Sequence, residues 1–222
     1  MKLLLAILAT LSLSSGAYAQ TLPTKAPPKA QPVAAVVVPC TVSYCVAPYV
    51  GLALGESGGS FNIVSTGVNG LANNNLNLGG EAGFDFWNGS VFMGVNVLAE
   101  YGLSQNGVIP GGGTSRLWGT GAWAKLGYNV ASALGINVNT SSTPTLAGIV
   151  ASTVPYVNIG IWDRPWGAGF LSGVGVQGWI GQNWTIHVDY NHVDFNNAMV
   201  NSNVKQQTED MVLGGVDYHF SL

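Results

Sequence analysis

The residues nearest to a chemical constellation are His187, Asp189 and His192, written His-x-Asp-x-x-His in the chain. A histidine beside a carboxylate is the pairing that general acid–base chemistry uses. Side chains alternate along a strand, which puts His187 and Asp189 on one face and turns His192 to the other. No serine stands in a recognisable nucleophile setting, and no Gly-x-Ser-x-Gly occurs. The expected role is that of satisfied polar groups in an interior, and no enzyme is expected. Metal binding is weaker still, because His187 and Asp189 are two candidate ligands only and His219 lies on a different strand. No metal and no cofactor are expected.

The second candidate is the cysteine pair, Cys40 and Cys45, which are the only two in the chain. Two cysteines do not make a four-ligand zinc site, and four intervening residues exclude a redox Cys-x-x-Cys. If the chain is exported, the pair meets an oxidising compartment, and a disulfide closing a small loop is the favoured reading.

Export is what the N-terminus predicts. Lys2 is followed by an apolar run, Leu3 to Leu13, and then by Ala17-Tyr18-Ala19. This is a signal peptide over 1–19, cleaved between Ala19 and Gln20 by the Sec route. The apolar run is too short to span a bilayer, and no later stretch approaches the ~18 apolar residues a spanning helix needs. Residues 20–46 form a Pro/Ala-rich linker containing Cys40 and Cys45, expected to be extended and semi-rigid.

The rest, 47–222, must position any chemistry, and its composition is unusual. Charged residues make up 8% of the chain while it holds 31 Gly and seven Trp. That excludes a disordered chain, and it departs from the ~25% charge of ordinary soluble domains. Seven Lys and Arg residues form no basic stripe, so nucleic acid is not an expected partner.

The hydrophobic period is two. Eight strands are predicted: Pro48–Gly55, Leu78–Trp87, Val91–Gly102, Arg116–Tyr128, Val154–Trp162, Gly173–Ile180, Trp184–Phe195 and Met211–Phe220. Tight turns at Asn88-Gly89-Ser90 and Gly181-Gln182-Asn183 alternate with long connections at Glu56 to Asn77, Leu103 to Ser115, Asp163 to Ser172 and Asn196 to Asp210. Short and long connections in alternation are the pattern of a closed antiparallel transmembrane β-barrel. One stretch breaks the rule, Asn129 to Thr153, so two further short strands, ten in all, stay open as an alternative.

The faces support a barrel over a soluble sandwich. Val91, Met93, Val95, Val97 and Ala99 oppose Phe92, Gly94, Asn96, Leu98 and Glu100. Val212, Val216, Tyr218 and Phe220 oppose Met211, Leu213, Asp217 and His219. Charge shares its face with glycine, which suits a crowded lumen, and the opposite face is apolar, which suits lipid. A charge on the lipid face costs roughly 2–4 kcal/mol near the midplane. Trp87, Tyr101, Tyr128, Trp162, Trp184, Tyr218 and Phe220 fall at strand ends and predict two aromatic girdles.

The lumen is therefore expected to hold Glu81, Asp85, Asn96, Glu100, Arg116, Lys125, Asn158, Gln177, His187, Asp189, Asp217 and His219. Hairpin geometry brings Glu100 and Arg116 near the outer end of strands three and four, and Lys125 and Asp85 both fall near the periplasmic end. A paired polar plug is the favoured role, and a narrow water or ion path is the alternative. Asp163-Arg164-Pro165-Trp166-Gly167 reads as an outer loop, either a binding loop or a local turn.

The tail, Gly215-Val216-Asp217-Tyr218-His219-Phe220, fits Gly-x-x-aromatic-x-aromatic. It resembles the C-terminal signal read by the barrel-assembly machinery, carried on Gly215, Tyr218 and Phe220, although Ser221-Leu222 follow. Cys40-x4-Cys45 with Pro48-Tyr49-Val50-Gly51-Leu52-Ala53-Leu54-Gly55 is similar to the opening of small porin-family proteins of alphaproteobacteria, which resemble the OmpA transmembrane domain. Ala124-Lys125-Leu126-Gly127-Tyr128 and Pro155-Tyr156-Val157 add to the likeness, which covers roughly Ala47 to Phe220. It departs from full-length OmpA in offering no peptidoglycan-binding segment. The resemblance implies a structural protein of the Gram-negative outer membrane, supporting the envelope and presenting surface loops. Its implied partners are membrane lipid, periplasmic chaperones, the barrel-assembly machinery and an unidentified extracellular ligand. A narrow porin for small solutes or ions and an adhesin-like surface binder are the alternatives.

Overall fold

In a computed structural model, the described residues are 45–63, 66–71, 75–103, 118–133, 149, 152–165, 167–181, 183–201 and 204–220. The expected signal peptide, Ala19 and Gln20, nearly all of the linker with Cys40, and Arg116 lie outside the described residues.

Among the described residues there are nine strands: β1 Cys45–Ile63, β2 Val68–Leu71, β3 Asn75–Asn88, β4 Val91–Gly102, β5 Trp118–Tyr128, β6 Val154–Arg164, β7 Gly167–Trp179, β8 Trp184–Asn201 and β9 Val204–His219. From β3 onward each strand pairs antiparallel with the next, and β1 pairs with both β3 and β9. The β1–β9 register runs from Tyr49↔His219 to Ile63↔Val204 and closes the sheet. The product is an eight-stranded antiparallel β-barrel, with β2 a short strand folded back on the end of β1. Closure satisfies the edge groups that an open sheet would leave unpaired. No helix among the described residues is long and apolar enough to cross a membrane.

The alternation expected from the sequence is realised. β4 reads exposed–buried without a break across twelve residues. Its exposed side carries Val91, Met93, Val95, Val97 and Tyr101, and comparable apolar residues cover the outside of the other strands. Leu52, Ile161 and Leu126 remain 66%, 60% and 56% exposed. The Asn88–Val91 reversal uses Gly89 at φ 59°, a left-handed conformation that disfavours a side chain.

Three connections differ from the sequence reading, all at one end. The stretch expected as a loop from Glu56 to Asn77 is largely the end of β1, β2 and the start of β3. The loop expected from Asn196 to Asp210 is the far part of the β8–β9 hairpin, interrupted by register shifts and by Asn196 at φ 48°. β6 continues to Arg164 and β7 starts at Gly167, with Arg164 paired to Gly167, so most of the stretch expected as a loop from Asp163 to Ser172 is strand. Gly, Asn and Ser are poor strand formers by propensity, but β propensity yields to context. Here β1 has β9 on one side and β3 or β2 on the other, and both supply backbone partners. The described part of Asn129 to Thr153 holds one helical turn, Val130–Ala133, and no strand.

Two girdle residues also differ. Trp87 is 8% exposed and Trp162 fully buried, so both point into the barrel. Parity explains this: Trp87 is in phase with Glu81 and Asp85, and Trp162 with Asn158. Tyr101, Trp118, Tyr128, Trp184 and Phe220 do face outward near strand ends.

Candidate functional site: the layered lumen

The interior is stacked in layers along the barrel axis. The end where β1 begins and β9 finishes is called here the terminal end, and the opposite one the distal end. Near the terminal end Trp87, Phe92, Val154 and Tyr156 form one apolar cluster, with ring centroids 4.8 Å apart for Trp87–Phe92 and 5.8 Å for Phe92–Tyr156. Across from it His219 lies between Trp179 (4.8 Å) and Tyr49 (5.1 Å).

Above this floor comes the main polar layer. His187 stands at its centre, with Nδ1 2.7 Å from Asp189 Oδ2 and Nε2 2.8 Å from Glu81 Oε1. Asp217 Oδ2 is 3.8 Å from the same Nε2. Amides hold the carboxylates in place: Asn96 donates to Glu81 at 2.9 Å, Asn158 to Asp189 at 2.8 Å, and Gln177 to Asp85 at 2.9 Å. Lys125 donates to the Tyr49 hydroxyl at 3.2 Å and lies over the Tyr49 and Tyr156 rings, 5.2 and 5.3 Å from their centroids. Thr185 Oγ1 and His219 Nε2 meet at 3.0 Å.

Glycines make room for this layer. A Cβ on Gly94 would come within 2.8 Å of Asp85 Oδ1 and 3.4 Å of Lys125 Cδ. Asp85 and Lys125 therefore both border Gly94. Gly83 leaves space for Tyr49 in the same way, since an added Cβ would lie 2.6 Å from its hydroxyl.

Next along the strands is an apolar layer: Leu98 on β4, Trp123 on β5, Trp162 on β6, Leu171 on β7, Val193 and Phe195 on β8, and Met211 and Leu213 on β9. Beyond it, at the distal end, Arg164 is held between two carboxylates. Its Nη2 contacts Glu100 Oε1 at 2.8 Å and also Glu209, and its Nε donates to Glu209 Oε2 at 3.0 Å. Arg164 stacks over Trp162 with 5.2 Å from Cζ to the ring.

Ten of the expected lumen residues, Glu81, Asp85, Asn96, Glu100, Lys125, Asn158, Gln177, His187, Asp189 and Asp217, are buried inside, as is His219. Glu100 meets Arg164, while Arg116, expected near the same end, lies outside the described residues. His192 takes the outer face, as its spacing required, and there contacts Asp210 at 2.8 Å. Cys45 is disulfide-bonded at the start of β1. Gly215 faces the His187 cluster, whereas Tyr218 packs outward against Trp184 (5.1 Å) and Phe220 (5.2 Å).

Sequence reasoning missed Arg164, Glu209, Tyr49 and Tyr156 as lumen residues. Arg164 was detectable in principle, because 158, 160, 162 and 164 are in phase and two more residues of strand suffice to bring it inside. Glu209 was lost for the same reason at the start of β9.

Chemically, this arrangement pairs charge and excludes solvent. An imidazolium at His187 would donate from both nitrogens to carboxylates. Side chains of an eight-stranded barrel have just enough room to fill the interior.

No protein-family model matches the sequence, and no curated protein matches it. Among solved structures, the chain is similar to Neisserial surface protein A, with 12% identity, covering 79% of this chain and 99% of that one at a TM-score of 0.43. It is similar to the N-terminal β-barrel domain of Pseudomonas aeruginosa OprF, with 11% identity, 78% and 97% coverage and a TM-score of 0.40. It is also similar to Ail, the attachment invasion locus protein of Yersinia pestis, with 10% identity, 78% and 98% coverage and a TM-score of 0.40.

Proposed function

We propose that this protein is a structural barrel of the Gram-negative outer membrane, with a sealed lumen, that supports the envelope and holds a β-sheet at the cell surface. The observation that carries the reading is the inversion of polarity: apolar side chains cover the outside while six carboxylates, Lys125, Arg164 and His187 are buried within. A soluble barrel with that exterior would expose a continuous apolar surface far beyond the few hundred Å² that monomers tolerate. Lipid removes the penalty.

Strand length supports the orientation. A membrane β-strand needs about 9–11 residues. β4, β5 and β6 have twelve, eleven and eleven. β1, β8 and β9 have nineteen, eighteen and sixteen, and the surplus lies at the distal end. With both termini of the barrel at the periplasmic face, the surplus projects outside the cell. Export by the Sec route, escort by periplasmic chaperones and insertion by the assembly machinery through the Tyr218–Phe220 tail belong to the same proposal, as does the likeness to OmpA-type barrels. Surface binding through the projecting hairpins is the second reading, favoured by that same surplus of strand. No catalysis is proposed.

The test is gel migration with and without boiling, on membrane-extracted protein, with planar-bilayer conductance on the same sample. Faster migration when unheated and no stepwise current are expected. Steady conductance would replace the sealed barrel with a pore. A protein recovered from the periplasm with no heat shift would overturn the membrane reading.

A further inference from the structure

We propose that the main polar layer is a binding site for one divalent cation of the zinc or manganese class, held by His187 Nε2, Glu81 Oε1 and Asp217. The three ligands come from β8, β3 and β9, and their donor atoms all lie within 4.8 Å of one another. Metal–ligand distances are about 2.0–2.2 Å for imidazole nitrogen and carboxylate oxygen. Ligand atoms around such an ion stand roughly 3.3–3.6 Å apart by tetrahedral geometry. The observed 2.8 Å (His187–Glu81) and 3.8 Å (His187–Asp217) straddle that range, so small side-chain rotations admit the ion.

The Asp217 carboxylate places Oδ2, which accepts from Thr185 at 3.4 Å, 3.8 Å from His187 Nε2, and its other oxygen is left unpartnered in the same layer. Asp217 is fully buried, and its Oδ1 has no hydrogen-bond partner. Leaving a buried charged acceptor without a partner is costly, and a bound cation would remove the cost. That oxygen lies over Gly51, which is the register partner of both Asp217 and Glu81.

The space is kept open by two glycines. A Cβ on Gly51 would overlap Asp217 Oδ1, and one on Gly215 would overlap the His187 ring and come within 2.7 Å of Glu81 Oε1. The surrounding shell has the form metal sites use. Asp189 holds the other ring nitrogen of His187, so a cation that displaced the Nε2 proton would find the Nε2 lone pair directed toward Glu81 and Asp217. Asn96 occupies Glu81 Oε2 and leaves Oε1 for the centre.

Charge points the same way. Four buried carboxylates, Glu81, Asp85, Asp189 and Asp217, face one permanent cation in this layer, Lys125. Two carboxylates with one imidazole suit zinc or manganese, whereas calcium takes six to eight oxygens. The ion would enter as the barrel folds, since Glu81, His187 and Asp217 are all buried.

The experiment refolds the full chain from denaturant into detergent with zinc chloride, removes free metal with a chelator, and measures zinc per chain by elemental analysis. Unheated gel migration on the same samples reports folding. About one zinc per folded chain is expected, held until the barrel is unfolded. Glu81→Gln and Asp217→Asn should migrate as folded barrels and retain at least about tenfold less. Cobalt chloride, used in place of zinc, should give visible absorption bands that both variants lose. Should a variant not fold, the cobalt spectrum of the wild type decides. Folded wild-type protein without stoichiometric zinc and without cobalt bands overturns the proposal, as does equal retention by folded variants. The barrel reading survives either result, because migration reports it separately.

Discussion

Arg164 and Glu100 are 64 positions apart and meet at 2.8 Å, both almost wholly buried. Glu209, from a third strand, completes the contact on the other side of the guanidinium. Removing Arg164 leaves two carboxylates without their cation. Breaking a buried pair in this way costs about 3–5 kcal/mol. Arg164→Met should therefore lower the urea midpoint of unfolding from lipid vesicles. Arg164→Met combined with Glu100→Leu and Glu209→Leu should recover most of the loss. If the single variant unfolds like the wild type, the triad contributes nothing to stability.

Trp162 lies beneath the guanidinium and is fully buried. Truncating a buried tryptophan costs about 3–5 kcal/mol. Contacting residues couple by about 0.5–3 kcal/mol, so Trp162→Ala and Arg164→Met should not add. A double-mutant cycle on vesicle-folded protein reads the coupling, and strict additivity would show that the stacking is energetically silent.

Gly83 and Gly80 are three residues apart in β3 and point to opposite faces. A Cβ at Gly83 would lie 2.7 Å from Tyr49 Cζ, and one at Gly80 meets nothing within 4 Å. Overpacking typically costs about 1–3 kcal/mol. Gly83→Val should therefore slow or block folding, as seen by loss of the fast-migrating band, while Gly80→Val should fold like the wild type. Equal behaviour of the two would contradict the assignment of faces.

Val97 and Ile159 sit midway along β4 and β6 and are 54% and 56% exposed on the outside. If that outside is lipid, an arginine near the midplane costs about 2–4 kcal/mol. Val97→Arg and Ile159→Arg should destabilise the barrel in phosphatidylcholine vesicles by that amount. In a soluble barrel the same changes would be neutral and would improve solubility.

How much of this was legible beforehand follows from the range of each interaction. Alternation is local, so the face of each residue in Val91–Gly102 could be read residue by residue, and with it the burial of Asn96 and Glu100. The parity that turns His192 away from His187 was equally readable. Strand ends were not. Ser57 to Ile63 is rich in small polar residues and looks like loop, yet it is strand because β9 and β2 lie alongside it. Arg164 was placed in a loop for the same reason.

The sequence by itself determined the architecture class, the inside and the outside, and the polar filling of the lumen, because all three follow from a two-residue period and from which residues lipid tolerates. Only the tertiary structure decided who meets whom. Glu100 on β4 finds Arg164 on β6, a strand that does not pair with its own. Glu81, His187 and Asp217 converge from β3, β8 and β9 because closure of β1 on β9 and the stagger of the strands bring them to one height. Shear and closure are properties of the whole ring of hydrogen bonds, and no local stretch of sequence encodes them.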